Sequence, residues 1–115
     1  MADVATSEAE VVAITCYTET GRTARLLSAE RPLTPIYAFI PDEQVRRVNA
    51  LTWGVIPLDA VRPGDTDGMI ALMDEGLRRR SLVAPGELVV MAASSPAGRT
   101  TTNMLKLHQV GSSVR

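Results

Sequence analysis

The residues of this chain best equipped for chemistry are crowded into one stretch, Tyr17-Thr18-Glu19-Thr20-Gly21-Arg22-Thr23. An apolar run precedes it and an amphipathic one follows, so the spacing predicts a loop that links a strand to the start of a helix. At a helix start the first backbone N–H groups lack intrahelical acceptors and the helix dipole favours negative charge. Glycine lets the backbone approach a ligand, arginine can bind two oxygens at once, and the threonines add hydroxyl donors. Together these are the ingredients of a phosphate cradle. The same residues also fit a plainer reading, in which Thr20 or Thr23 caps the helix and nothing is bound.

Cys16 stands just before this stretch, and five residues separate it from Arg22-Thr23. That spacing resembles the Cys-x5-Arg-Ser/Thr loop of phosphotyrosine phosphatases, where a thiolate attacks phosphorus while loop amides and arginine hold the oxygens. Glu19 would place a negative charge inside such a cradle. Asp59, Asp65 and Asp67 are the acids that a loop could bring near, and none lies in a recognisable general-acid motif. The alternative for Cys16 is a small buried residue at a strand end.

The chain has 115 residues, the length of one ordinary domain, and such a domain buries roughly two-thirds of the surface its unfolded form exposes. A single domain over residues 1–115 is therefore expected. A formal net charge of −1 supplies no field to attract polyanions, which argues against a nucleic-acid partner. Cys16 is the sole cysteine, so no intrachain disulfide and no Cys-based zinc site can form, in keeping with a reducing compartment. No apolar run approaches the roughly 18 residues of a membrane helix, and the first residues lack the order of a signal peptide, so a cytoplasmic protein with no membrane contact is predicted.

The elements that must position the loop follow from periodicity and punctuation. Val11-Val12-Ala13-Ile14-Thr15-Cys16 is a short, β-branched apolar run and reads as a buried strand. Arg22 to Ala29 suits a short helix, which Pro32 and Pro35 prevent from continuing. Ile36–Ile40 is a second strand. Pro41-Asp42 opens a helix to about Leu51, with Val45, Val48 and Leu51 at helical spacing and Arg46 and Arg47 facing outward. Gly54 to Leu58 is a third strand, placed near an edge because Pro57 cannot donate to a ladder. Asp65 or Thr66 caps a third helix with Met69, Leu72, Met73 and Leu77 on one face. Arg78-Arg79-Arg80 falls at its negative dipole end, which makes that run structural rather than a binding patch. Leu88 to Ala93 and Thr102 to Val110 are the last strands.

Strand-helix units of this kind imply an α/β three-layer sandwich, with a mostly parallel five-stranded sheet, helices on both faces and an antiparallel last strand. Ligands on such sheets sit beyond the carboxyl ends of the strands, which points to the loops after Cys16 and after Ala93. Trp53 and Leu82 would mark an interface if exposed, although a tryptophan there also suits a core or helix-end position.

The order of segments resembles one known family. Ala13-Ile14-Thr15-Cys16-Tyr17-Thr18-Glu19-Thr20-Gly21-Arg22-Thr23-Ala24 is similar to the start of the pyruvate kinase C-terminal domain, an apolar strand leading to Thr-x-Ser/Thr-Gly-Arg/Thr-Ser/Thr-Ala. Four more matches follow in order: Arg31-Pro32 with Pro35-Ile36-Tyr37-Ala38, Trp53 to Leu58, Gly86 to Met91, and Thr102 to His108. They span roughly residues 11 to 111.

The resemblance implies a regulatory and oligomerisation domain, because in pyruvate kinases phosphate passes from phosphoenolpyruvate to ADP in a separate barrel. That barrel uses magnesium and potassium ions, so the resemblance implies no catalytic residue, metal site or cofactor in this stretch and no turnover from it alone. Carried over by position, Thr18, Thr20, Gly21, Arg22 and Thr23 would hold an effector phosphate. Ser94, Ser95, Gly98 and Arg99 would form the lid over the sugar.

Two departures bear on the ligand. Glu19 beside a phosphate is repelled by on the order of 1 kcal/mol unless screened. Residues 61–67 are short and hold no tryptophan-and-arginine pair for a second phosphate, so a sugar monophosphate or a nucleotide is expected rather than a bisphosphate. Homo-oligomers, or association with a pyruvate kinase barrel, are the implied partners. A ligand-free assembly module is the third reading.

Overall fold

The computed structural model describes residues 11–94 and 102–111. Its strands are β1 (Val11–Tyr17), β2 (Ile36–Ile40), β3 (Val55–Asp59), β4 (Leu88–Ser94) and β5 (Thr102–Gln109), and its helices are α1 (Arg22–Ala29), α2 (Glu43–Asn49) and α3 (Thr66–Arg79). They form one sheet in the order β3-β2-β1-β4-β5. β1 pairs parallel with β2 and β4, β2 pairs parallel with β3, and β5 runs antiparallel to β4. The expected α/β architecture with an antiparallel last strand is what the chain adopts.

The apolar runs explain the strand order. β1 and β2 are covered on both faces, so neither shows alternation, and all five residues of β2 are buried. Pro57 lies in β3, opposite Ala38, and β3 is an edge strand with no partner on its other side. Residues of opposite parity feed two separate cores. Tyr17, Tyr37, Phe39 and Met91 pack with Met69, Ile70, Met73 and Leu77 of α3. Cys16, Ile36, Ala38, Ile40 and Ala92 pack on the other side with Ala24 and Leu27 of α1 and Val45 of α2. Burying each large apolar side chain of this kind contributes about 1.5–3 kcal/mol.

Both longer caps follow their sequence signals. Asp42 accepts hydrogen bonds from the N–H groups of Gln44 and Val45 at the start of α2. Asp65 accepts from Gly68 N–H at 2.7 Å at the start of α3. The arginine run is structural as expected: Arg78 pairs with Asp74 and Arg80 with Asp59, each at 2.6 Å.

The inward face of α2 differs from expectation. α2 ends at Asn49, two residues short of Leu51, and it turns Val45 and Asn49 toward the sheet. Val48 is 61% exposed and Leu51 91%. A two-turn helix presents a single i, i+4 pair to its neighbour, and Leu51 lies beyond the point where the helical phase still applies. Arg46 is also not free on the outside, because its guanidinium donates back to the carbonyls of Ile40 and Pro41.

The lone histidine is a structural residue. His108 on β5 and Asp74 on α3 are both buried, and His108 Nε2 lies 2.6 Å from Asp74 Oδ2. The same carboxylate accepts from Gly111 N–H and from Arg78. Burial pushes Asp74 up, but hydrogen bonds from His108, Gly111 N–H and Arg78 outweigh it and hold the carboxyl below the usual range. Among the described residues, no helix is long and apolar enough to cross a membrane.

Candidate functional site

The strand order reverses between β1 and β4, so the loop that follows β1 opens at the switch point of the sheet. Thr18 is tied there first. Its N–H donates to Phe39 O at 3.1 Å, and its buried hydroxyl accepts from Gly21 N–H at 3.0 Å. That bond closes a tight turn around Glu19 and Thr20. Gly21 caps α1 with φ of +85°, a left-handed conformation that an L side chain resists. A Cβ at this position would also run into the Asn49 amide. Glycine is therefore required twice over.

At the helix start the N-cap residue Gly21 offers no side chain of its own. Thr20 Oγ1 accepts from Arg22 N–H at 3.3 Å, and Arg25 Nη1 donates to Thr20 O at 3.3 Å. Thr23 is buried in the first turn. The Arg22 side chain is exposed, and no acceptor holds its guanidinium among the described residues. Thr20, Gly21 and Arg22 thus surround the helix start, while Thr18 serves the turn beneath it.

Glu19 is drawn away from this end. Its Oε2 accepts from the Tyr17 hydroxyl at 3.1 Å and pairs with Arg62 Nε at 3.4 Å. Tyr17 packs with the α3 core, so Glu19 lies on the α3 side of the loop and its charge is offset by a cation. Burial first, and then the hydrogen bond to Glu19, push the Tyr17 hydroxyl well above the ordinary tyrosine value.

Cys16 does not face the loop as a nucleophile would. It is fully buried among Ala24, Ile36, Ala38 and Ile40, and desolvation pushes its thiol up to about 12. A reactive thiol needs a lowered pKa and access, and Cys16 has neither. Asp59 is held by Arg80 and Asp65 caps α3, so both are committed elsewhere. The phosphatase-like alternative is corrected on these grounds: the parity that places Tyr17 toward α3 buries Cys16 in the opposite core.

Of the expected lid, Ser94 ends β4, where its backbone pairs with Thr102. Ser95, Gly98 and Arg99 lie outside the described residues. Among the described residues, no group of three His, Cys, Asp or Glu side chains could hold a metal ion.

Among the described residues, two concavities flank the sheet ends. A groove of about 590 Å³ lies between α3 and the end of β3, lined among others by Phe39, Asp59, Glu75, Arg79 and Arg80. A smaller pocket of about 260 Å³ adjoins the loop and is lined by Thr20, Arg25, Gln44, Val45, Val48 and Asn49. Arg25 and Asn49 were not expected at the site. The only signal for Asn49 is its spacing of four from Val45, which puts a polar residue on the inward face of α2.

The fold is a doubly wound α/β domain with the Thr18 to Thr23 loop at its switch point. A family model described as "Pyruvate kinase, alpha/beta domain" matches residues 1–108, and the chain belongs to that family. The pyruvate kinase of Clostridium acetobutylicum is 40% identical over 107 residues, which cover 92% of this chain and 23% of that protein. That of Lactococcus lactis is 35% identical over 101 residues, covering 88% and 20%. Among solved structures, a pyruvate kinase from Cryptosporidium parvum is similar with a TM-score of 0.75 and 23% identity, over 93% of this chain and 21% of its own, which shows a common fold. The chain spans about a fifth of the length of the curated relatives it matches.

Proposed function

We propose that this chain works as the regulatory and assembly domain of a cytoplasmic pyruvate kinase, binding a phosphorylated effector at the loop after β1. The parent reaction is the glycolytic transfer of phosphate from phosphoenolpyruvate to ADP in an associated catalytic barrel. The observation that carries the effector reading is the N-terminus of α1, where Gly21 offers no side-chain cap and the exposed Arg22 guanidinium has no acceptor among the described residues. A phosphate placed there would meet first-turn N–H groups, the positive end of the helix dipole and a guanidinium able to grip two oxygens. Glu19, the main objection in the sequence, is already offset by Arg62. Binding would stabilise the liganded arrangement of the domain by RT ln(1 + [L]/Kd), and that free energy is what an allosteric effector transmits. A sugar monophosphate or a nucleotide is the ligand class.

Calorimetric titration and thermal shift with sugar phosphates, AMP and inorganic phosphate test this reading. Arg22→Ala is expected to weaken binding about tenfold or more, since hydrogen bonds to charged groups contribute about 1.5–3 kcal/mol. Affinity that ignores the substitution would sink the site assignment.

A specific feature also supports the assembly role. Leu105 and Leu107 on β5, paired with Ala92 and Val90 of β4, are 75% and 57% exposed on a strand at the sheet edge. Neighbouring exposed leucines on an edge strand suit a face that a second copy or a catalytic region covers.

A further inference from the structure

The C-terminus of α3 breaks a local rule. Ser81 N–H donates to Arg78 O and Leu82 N–H to Leu77 O, each at 3.0 Å, the paired closure of a Schellman turn with Ser81 at its left-handed position. Ser81 holds φ of +58° there, a conformation that glycine takes freely and an L side chain resists. No contact offsets that strain. Ser81 is exposed, and its hydroxyl makes no hydrogen bond among the described residues. A strained residue with no packing reason to be there points to a function. The residues around it supply a second observation. Arg78-Arg79-Arg80 precede Ser81, and the exposed Leu82 follows. Arg78 is paired with Asp74 yet keeps 43% of its side chain exposed, and Arg80 is held by Asp59, Gly76 O and the Phe39 ring. Arg79 is exposed and has no acceptor among the described residues. The fold thus gives the outer two arginines a structural role and leaves Arg79, two positions before an unpartnered hydroxyl, without one.

We propose that Ser81 is a phosphorylation site, recognised by a serine/threonine kinase whose substrate groove is acidic. Arginines three and two positions ahead of the acceptor fit carboxylates in such a groove, and Leu82 offers an apolar contact directly after it. The kinase transfers the γ-phosphoryl group of MgATP. A bond forms between Ser81 Oγ and phosphorus as the bond from phosphorus to the ADP oxygen breaks, and the hydroxyl proton passes to the base of the kinase. The last turn of α3 opens so that Ser81 lies extended in the groove, and its left-handed strain is released in that step. The product carries roughly −1.5 to −2 charges at pH 7 beside the arginine run. The dipole alone disfavours an anion at a helix C-terminus, and Arg79 is available to grip the new phosphate there.

Incubation of the chain with MgATP and an arginine-directed serine/threonine kinase, followed by mapping of the modified residue by mass spectrometry, tests this. One phosphoryl group is expected on Ser81. Its rate of incorporation should lie within about tenfold of that for a peptide of residues 77–83, which has no fold to open. Ser81→Gly suits the left-handed turn, so it should abolish incorporation while keeping or raising the thermal midpoint. Arg79→Gln should slow incorporation at least about tenfold, the lower end for hydrogen bonds to charged groups, and leave the midpoint unchanged. In a phosphorus NMR titration the phosphoserine should ionise below its ordinary second pKa of about 6, and Arg79→Gln should return it toward that value. Phosphate found on other residues and not on Ser81 overturns the proposal, as does modification confined to the peptide or a rate indifferent to Arg79→Gln. A lower midpoint for Ser81→Gly would give Ser81 a structural role and remove the strain argument. A phosphoserine that ionises at its ordinary value defeats the Arg79 grip alone.

Discussion

Gly21 and Cys16 show how far a single residue's environment decides its role. Gly21 combines a left-handed backbone with the Asn49 amide pressed against its Cα. Gly21→Ala should therefore lower unfolding free energy by about 1–3 kcal/mol, read from the shift of a urea midpoint. A change within experimental scatter would mean that the turn relaxes freely. Cys16 is the opposite case: it is buried, apolar in its contacts, and its thiol is pushed up to about 12 by desolvation. A thiol-reactive dye should label it only as fast as the chain opens, and Cys16→Ala should leave phosphate affinity unchanged. Rapid labelling of the native chain would contradict its burial. Glu19 looks like an obstacle to anion binding in the linear sequence, and Arg62, 43 positions further along, removes most of that objection.

At the level of elements, α3 is pinned to the last strand by one carboxylate. Asp74 bonds His108 of β5, Gly111 N–H and Arg78, so its loss would leave the buried His108 ring without its partner. Asp74→Asn should cost about 3 kcal/mol, in the range for breaking a buried pair. The same network makes a pH prediction. The folded carboxyl is held below its ordinary value, so between the folded and unfolded values the unfolded chain binds more protons and stability rises with pH. The contribution is fully present above the unfolded value of about 3.9 and is lost as pH falls through the folded one. Urea midpoints should fall on acidification in this range, and Asp74→Asn should flatten that dependence. An unchanged slope would assign the acid response to other groups. The caps of α2 and α3, by contrast, are local: Asp42 and Asp65 each bond N–H groups within three residues.

For the molecule as a whole, the sheet has two unequal ends. β3 at one edge is interrupted by Pro57, which removes a backbone donor. β5 at the other edge carries exposed Leu105 and Leu107 and is the more open to association. Sedimentation equilibrium is expected to show mass rising with concentration. The double change Leu105→Lys with Leu107→Lys should weaken that association at least tenfold, since each buried leucine contributes about 1.5–3 kcal/mol. A chain that stays monomeric at every concentration would remove self-assembly through this strand.

Much of this was legible in the residues alone, because strands, caps and turns depend on neighbours within a few positions. The apolar run of β1 announced a buried strand, Ile36–Ile40 a second strand, Pro57 an edge, Asp42 and Asp65 the helix starts, and the Thr18 to Thr23 loop the candidate site. What only the tertiary structure decided are the pairings between elements. Asn49 beside Gly21, Arg62 beside Glu19, and Asp74 between His108 and Gly111 each join residues 28 or more positions apart. Such contacts depend on strand order, on register and on which face each crossover helix covers, and no local period encodes those. The depth of Cys16 and the short inward stripe of α2 belong to the same class: a periodic pattern gives the spacing of a face, and packing selects which face is turned inward.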